Sequence, residues 1–342
     1  MRGKKLMLLG VLAGLCLLAM LFSVGIGAVH ISPAETARVL LKQWCPRSST
    51  GLNATREAII WQLRFPRILL GFFVGASLAV AGVSFQGLLQ NPLADPYTLG
   101  VSSGAALGAT AAMLFFPAAS AGSSYHIPLF GFIGGMLALW IVYRLGRVSG
   151  RLPVVTVLLA GVIISSFFSA LISLSMIFAG QQLRSIYFWL AGGLGMKGWP
   201  YVALIIPYFI VGMAVLLYYA GDLNLISLGE ESALNSGVEV EKVKKVVLVA
   251  ASLITAGAVS VSGMIGFVGL IVPHALRIVM GPDHRLLFPA AALGGGLFLV
   301  VVDTAARTVL APVEIPVGIV TAFLGAPFFM ILLQRYRDKY RF

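Results

Sequence analysis

The sequence predicts an all-α integral membrane protein with about ten transmembrane helices, built as a single domain over residues 1–342. Of its 342 residues, 59% are hydrophobic and only 11% are charged, whereas soluble domains carry about 25% charged residues. The apolar runs are about 20 residues long, the length of a membrane-spanning helix, whereas barrel strands alternate over about 10 residues. Many of the 39 glycines lie within these runs, where small residues let helices pack closely in lipid.

Ten segments are apolar and long enough to be candidate spans. They are 6–28, 67–88, 98–117, 127–145, 153–178, 201–220, 244–263, 267–281, 286–305 and 316–335. The first could instead be a signal peptide ending near Ala28, but its length favours an uncleaved span. The eighth has about fifteen residues, so it predicts a helix that crosses only partly or is broken.

The basic residues predict the orientation of the chain. With ten spans and a cytoplasmic N-terminus, 15 of the 24 Lys and Arg residues fall in inside segments. Most of the others lie in or beside one long outer loop, 29–66. Cytoplasmic loops are enriched in Lys and Arg, so both termini are predicted to be cytoplasmic. The net charge of +12 then reflects membrane topology and not nucleic-acid binding, because no basic cluster is interleaved with aromatic residues.

A short internal repeat predicts two half-repeats, about 1–180 and 200–342. GASLAVAG at 75–82 in the second span matches AASLITAG at 250–257 in the seventh at five of eight positions. The predicted topology runs these two spans in opposite directions. Such a match is typical of inverted repeats in transporters, although eight small residues could also match by chance.

Chemistry of its own is not indicated for this chain. It has no P-loop motif, no recognisable catalytic triad, four scattered histidines and two cysteines, Cys16 and Cys45. An ion-coupled carrier is one alternative function and would have to couple through Asp95 or Asp303, the acids near span ends or interiors. A membrane-embedded enzyme is the other, and it lacks a convergent set of reactive groups. This scarcity favours a transporter that receives its energy from elsewhere.

The segment NPLADPYTLGVSSGAALG, 91–108, predicts a rigid corner between the second and third spans. Pro92 and Pro96 cannot continue the backbone hydrogen-bond ladder, and Asn91 or Asp95 can cap the next helix. That helix begins with residues that allow close approach, Ser102, Ser103 and Gly104. The corner either borders a central pathway or is a rigid turn without substrate contact.

The acidic loop 221–245 predicts a short amphipathic helix in SLGEESALNSGV. Two glutamates occupy its first turn and Gly237 can end it. A short helix in a cytoplasmic loop is suited to a partner's groove, although it could also be a solvated loop helix.

Three arginines are predicted at the outer rim. Arg64 and Arg67 lie at the outer start of the second span, and Arg307 lies at the outer end of the ninth, four residues after Asp303. Asp303 and Arg307 could form an internal salt bridge, or the arginines could meet carboxylates of a soluble partner through bidentate pairs. On the second interpretation, reversing Arg64 and Arg67 to glutamate abolishes uptake without preventing assembly.

Several stretches carry a family resemblance. LGEESALNSG resembles the Glu-Ala-Ala coupling loop of ABC importer permeases. The stretches 63–108, 227–238, 263–295, DTAAR at 303–307 and 316–333 together resemble the membrane subunit of iron-chelate and cobalamin importers, in order and with the family's spacing.

The resemblance implies a type II importer permease with ten spans, working as a homodimer with two separate ATP-binding subunits that hold ATP and Mg²⁺. A soluble or lipid-anchored binding protein would deliver a ferric siderophore, haem or cobalamin, and this chain would bind no metal or cofactor itself. By the same resemblance, docking falls to Arg64, Arg67 and Arg307. The implied ATPase-coupling residues are Leu228, Gly229, Glu230, Glu231, Ala233 and Gly237, and the implied inner gate is Val154, Val155 and Thr156.

Overall fold

The regular elements of the described residues are helices. The structure, a computed structural model, describes residues 2–27, 31–44, 53–116 and 125–337. The helices are α1 Arg2–Gly25, α2 Pro33–Trp44, α3 Ala54–Ala58, α4 Phe65–Leu88, α5 Val101–Phe115, α6 His126–Gly146, α7 Val154–Ile177, α8 Leu183–Leu190, α9 Trp199–Tyr218, α10 Ala220–Ile226, α11 Glu230–Asn235, α12 Val240–Ser262, α13 Val268–Met280, α14 His284–Ala306 and α15 Val317–Arg337. A π-helical stretch, Ile59–Arg64, joins α3 to α4. Cys45 lies outside the described residues.

Each of the ten predicted spans coincides with a helix, which confirms the all-α membrane fold. Among the described residues, seven helical segments are long and apolar enough to cross a membrane, and α5, α13 and the Val317–Ile331 part of α15 are shorter apolar helices. The short eighth span is α13, with 13 residues and a length of about 20 Å, less than the hydrocarbon core. The first span, α1, packs along α14.

The centre of the bundle is formed by α4, α12 and α14. These helices are mostly buried, whereas α1, α6, α7 and α9 leave most of their apolar surface exposed, as lipid-facing helices do. The second span, α4, packs on α14, the ninth, and the seventh span, α12, packs on α6, the fourth. These are equivalent pairs if the two halves repeat, because the second span then corresponds to the seventh and the fourth to the ninth.

Two non-helical segments occupy corresponding positions in the two halves. Residues 89–100 precede α5, the third span, and 263–267 precede α13, the eighth. A Cβ at Gly269, at the start of α13, would lie 2.9 Å from the carbonyl oxygen of Leu78 and 3.3 Å from Pro96. Leu78 lies in the body of α4, so the corner reaches membrane depth, where irregular backbone is tolerated only when protein covers it.

Glycine permits two close helix crossings in the bundle. Where α4 crosses α14, a Cβ at Gly75 would overlap the carbonyl oxygen of Gly295, and a Cβ at Gly295 would overlap the carbonyl oxygen of Gly75. Gly104 and Gly134 are related in the same way where α5 crosses α6. Glycine therefore lets the backbones of these pairs touch, the packing role that the sequence predicts for glycines within spans.

The loop 29–66, predicted to be outer, contains helices that the sequence does not predict. Before α2, the backbone N–H of Ser32 donates to Glu35 Oε2 over 2.7 Å, and the N–H of Glu35 donates to Ser32 Oγ over 3.2 Å. This reciprocal pair is a capping box followed by proline at the first helical position, and the letters SPAE signal it in the sequence.

Candidate docking, coupling and gating sites

The corner is held by local turns and not by caps on α5. Asn91 Oδ1 accepts the N–H of Leu93 over 2.9 Å, and Thr98 Oγ1 donates to the carbonyl oxygen of Asp95 over 2.6 Å. The residue at the N-cap of α5 is Gly100, with a left-handed φ of 79°. The expectation that Asn91 or Asp95 caps the third span is therefore wrong, since no side chain caps α5 and the Asn91 side chain bonds within the corner.

The two prolines of the corner have different environments. The helix α4 ends at Leu88, before either proline, Pro92 is exposed, and Pro96 is buried against the start of α13. Pro96 is therefore the proline that fixes the corner against another helix.

The three small residues at the start of α5, Ser102, Ser103 and Gly104, have different environments. Ser103 Oγ donates to the carbonyl oxygen of Gly100 over 3.0 Å, and Gly104 lies at the crossing with α6. Ser102 is fully buried, and its Oγ has no hydrogen-bond partner within the described residues. Of the three, Gly104 has a clear packing role.

The three predicted docking arginines all have partners within the chain. Arg64 is buried and donates from Nη1 to the carbonyl oxygen of Val24 over 2.8 Å, at the end of α1. Arg307 donates from Nη2 to the carbonyl oxygen of Ser23 in the same helix. Both guanidinium groups therefore anchor α1 to the bundle, the anchoring role that the sequence leaves open beside docking.

Arg67 is the centre of an ionic cluster, the rim cluster, formed by Arg67, Asp303, Arg307 and Glu314. Arg67 Nη2 lies 2.9 Å from Asp303 Oδ1, and Arg67 Nη1 lies 2.9 Å from Glu314 Oε2. Arg307 Nε is 3.8 Å from Asp303 Oδ2. Asp303 is buried, whereas the Glu314 side chain is 53% exposed. The internal pair of Asp303 and Arg307 therefore exists, but the bidentate partner of Asp303 is Arg67.

A lysine missed by the sequence analysis lies beside the rim cluster. Lys197, in the loop between α8 and α9, donates from Nζ to the carbonyl oxygen of Gly193 over 2.7 Å. Burial and the neighbouring Arg67 lower the pKa of Lys197 to about 7. Two cavities of about 550 and 640 Å³ both contain Arg67, Lys197 and Glu314 in their walls. The sequence signal is a single lysine among small residues in GGLGMKG.

The predicted coupling helix exists as α11, Glu230–Asn235. Glu230 and Glu231 form its first turn and Gly229, with φ of 122°, precedes it. At its end the N–H groups of Gly237 and Val238 donate to the carbonyl oxygens of Leu234 and Ala233, which is a Schellman motif with left-handed glycine. The prediction that Gly237 ends this helix is thus confirmed.

Helix α11 presents apolar side chains to its surroundings. Leu228 is 76% exposed and Leu234 is 59% exposed, whereas Ala233 is fully buried against the bundle. Glu230 Oε1 lies 2.6 Å from Lys244 Nζ in α12. One side of the helix is thus fixed to the bundle, whereas Leu234 in the helix and Leu228 just before it are exposed.

The predicted inner gate occupies the first turn of α7. Val155 is 67% exposed, whereas Val154 is half-buried. Thr156 Oγ1 donates to the carbonyl oxygens of Gly146 and Pro153 over 2.9 and 2.8 Å. The turn is therefore tied to the end of α6, with one exposed valine.

Comparison with known proteins gives a consistent result over nearly the whole chain. The FecCD transport family matches residues 15–335. The cobalamin import system permease protein BtuC of Halobacterium salinarum is 45% identical over 284 residues, which cover 83% of this chain and 75% of the relative. The hemin transport system permease protein HmuU of Yersinia pestis is 40% identical and covers 99% of this chain and 98% of the relative.

A solved structure shares the fold. A metal-chelate type ABC transporter in an inward-facing conformation superposes with a TM-score of 0.83 at 33% identity, over 96% of this chain and 99% of that chain. These similarities overturn the two alternatives, an ion-coupled carrier and a membrane-embedded enzyme. Asp303, one of the two acids such a carrier would need, is paired with Arg67. This multi-pass membrane protein belongs to the FecCD transport family, the permease subunits of ABC importers.

Proposed function

We propose that this permease imports an iron chelate, either a ferric siderophore or haem, or else cobalamin, across the cytoplasmic membrane. Two copies of the chain enclose the pathway, with both termini of each in the cytoplasm. Two separate ATP-binding subunits hold ATP and Mg²⁺, and a soluble or lipid-anchored binding protein delivers the cargo. The relatives named for cobalamin and hemin import support this class of cargo.

The observation that carries the coupling part of the proposal is the surface of α11. Leu228 and Leu234 are exposed beside Glu230 and Glu231, and the helix is anchored by Ala233. A helix with exposed apolar side chains fits a partner's groove. An anchored helix of this kind can transmit movement of the ATP-binding subunits to the bundle, because its buried side stays packed against the bundle.

Docking of the binding protein is proposed at the rim cluster through Arg67. Arg64 and Arg307 are committed to the carbonyl oxygens of α1, so they position α1 and the rim. The outer partner of Arg67, Glu314, is half-exposed, and a carboxylate of the binding protein can take its place. Because Arg64 is buried, charge reversal at Arg64 and Arg67 together would disturb packing as well as docking.

The inner gate is proposed at Val154, Val155 and Thr156, and the corner is proposed to support it. Leu88 and Leu89, which lead into the corner, line a small cleft together with Val154 and Val157. A movement of the start of α7 is therefore transmitted to the end of α4. The half-repeats 1–180 and 200–342 are proposed to rock as units around this contact.

Co-purification and uptake test the proposal. The chain is expressed with its ATP-binding subunits, reconstituted in liposomes and supplied with the binding protein and one of three probes, ferrichrome, hemin or cyanocobalamin. ATP-dependent uptake of one probe is expected, and Leu228→Ser with Leu234→Ser should release the ATP-binding subunits. Leu145→Ser, which changes another exposed leucine, is the matched control.

Uptake of a probe by the lone chain in an ion gradient, without ATP, would contradict the proposal. So would full uptake by the Leu228 and Leu234 double variant.

A further inference from the structure

A buried lysine, Lys244, connects three separate elements at the cytoplasmic end. It lies in the first turns of α12 and is 3% exposed. Its Nζ lies 2.6 Å from Glu230 Oε1 in α11 and 3.5 Å from Glu241 Oε1 in its own helix. Nζ also donates to the carbonyl oxygen of Leu152 over 3.3 Å, in the turn between α6 and α7.

Glu241 completes a closed set of contacts around this amine. Its Oε2 accepts the backbone N–H of Leu152 over 2.9 Å. Leu152 is therefore held through both of its backbone polar groups, by Lys244 and by Glu241. Two residues further on, Val154 begins α7, and Val154, Val157 and Lys244 line the same small cleft.

The neighbouring lysines do not share this arrangement. Lys242 and Lys245 are exposed, and Lys242 pairs at 3.0 Å with exposed Glu239 three residues before it. A buried ammonium group is retained only when its partners satisfy it, and removal of one partner leaves an uncompensated charge. The groups that contact Lys244 therefore move together with its amine, whereas the pair of Lys242 and Glu239 is solvated and moves independently.

We propose that Lys244 is a positioning residue that transmits movement of the coupling helix α11 to the inner gate at the start of α7. The inference rests on the coupling role proposed for α11. A push on α11 displaces Glu230, the carboxylate draws the amine of Lys244 with it, and the amine and Glu241 carry the Leu152 backbone. The gate turn follows because Leu152 lies directly before Pro153 and Val154.

The test measures movement of α7 in the assembled transporter. A spin label is placed at Leu159→Cys, an exposed position of α7, in a chain with Cys16→Ala and Cys45→Ser. Distances between the labels of the two copies are measured with and without ATP, Mg²⁺ and vanadate. Glu230→Gln removes the charge facing Lys244, and Glu239→Gln, which breaks the exposed pair with Lys242, is the matched control.

We expect nucleotide to shift the distance in the unmodified background and equally in Glu239→Gln. In Glu230→Gln the ratio of shifted to unshifted molecules should fall about fivefold or more, the lower end of coupling between sites. In Glu241→Gln, which changes a carboxylate outside α11, the shift should also fall while ATP hydrolysis persists, a split that a merely structural role would not produce. Lys244→Arg, which keeps the charge, should restore part of the shift relative to Lys244→Met.

An equal ratio of shifted to unshifted molecules in Glu230→Gln and in Glu239→Gln would overturn the inference while leaving the proposed function intact. If Glu230→Gln does not assemble, Glu241→Gln, at the other end of the same contacts, decides in its place. Absence of any nucleotide-dependent shift in the unmodified background would overturn both this inference and the proposed function.

Discussion

Replacing Glu314 by glutamine should strengthen binding of an acidic partner at the outer rim. Arg67 holds two carboxylates, one from buried Asp303 and one from Glu314. A carboxylate of the binding protein can reach Arg67 only by displacing one of them. Glu314 is the one that can leave, because its side chain is half-exposed and it lies beyond the end of α14.

The size of the effect follows from the exposure of the pair. Arg67 is 13% exposed and Glu314 is 53% exposed, so solvent screens much of the attraction. Exposed ion pairs are worth about 1 kcal/mol or less. Removing that competition should therefore lower the Kd for the binding protein by up to about fivefold.

The assay is titration of nanodisc-embedded permease with the cargo-free binding protein at low ionic strength. Glu57→Gln is the matched control, since it also removes one carboxylate, from α3 and its pair with Lys42, without touching Arg67. If a general loss of negative charge were the cause, both variants would bind the binding protein more tightly to the same extent. If the cause is competition for Arg67, only Glu314→Gln binds it more tightly. Weaker binding by Glu314→Gln would refute the reasoning and make Glu314 itself a contact. An unchanged Kd would show that Arg67 does not receive the partner.

Three further predictions concern packing, burial and pH. Gly104→Val should lower the Tm in detergent by overpacking the crossing of α5 and α6, at a cost of about 1–3 kcal/mol, while Gly14→Val, where a Cβ meets open space, should not. Asp303→Asn should cost about 3–5 kcal/mol, because Arg307 loses its carboxylate partner and Arg67 retains only half-exposed Glu314 among the described residues; the cost is seen as loss of folded protein in size-exclusion profiles, and an unchanged profile would contradict it. Because Lys197, with a pKa of about 7, is cationic below that pH, affinity for an acidic binding protein should fall between pH 6 and 8. Lys197→Arg should abolish that fall, and an equal fall in both proteins would contradict the assignment.

The span pattern was predictable because hydrophobicity is a local property of the chain. All ten apolar segments are helices, and the shortness of α13 follows from its fifteen apolar residues. The helices of the outer loop were missed because α2 is amphipathic and short. Its capping box, Ser32 and Glu35, was the available signal. The predicted polar cap of α5, Asn91 or Asp95, is wrong because Gly100, a glycine with positive φ, takes the N-cap position.

The contacts of the candidate sites were less predictable because they join distant parts of the sequence. Arg67 could be located at the outer rim, but Asp303 and Glu314 lie 236 and 247 residues away. The lysines at 242, 244 and 245 are equivalent letters in a charged stretch, and only the packing of α12 buries Lys244. Sequence identifies which residues could bind a partner, whereas the fold decides which of them are already occupied.

The outer and inner candidate sites are joined by one pair of helices, α4 and α14. At the outer end Arg67 of α4 binds Asp303 of α14, and in the middle Gly75 and Gly295 bring the two backbones into contact.

The same two helices also meet α10 at the inner end. Gln90, just after α4, donates to the carbonyl oxygen of Ile226 over 2.6 Å, and the N–H of His284 in α14 donates to Asn224 over 2.8 Å. Sliding of α4 along α14 would break the glycine crossing and the ion pair together. A displacement at the rim is therefore expected to reach α10, and through it α11, as tilting of the whole pair.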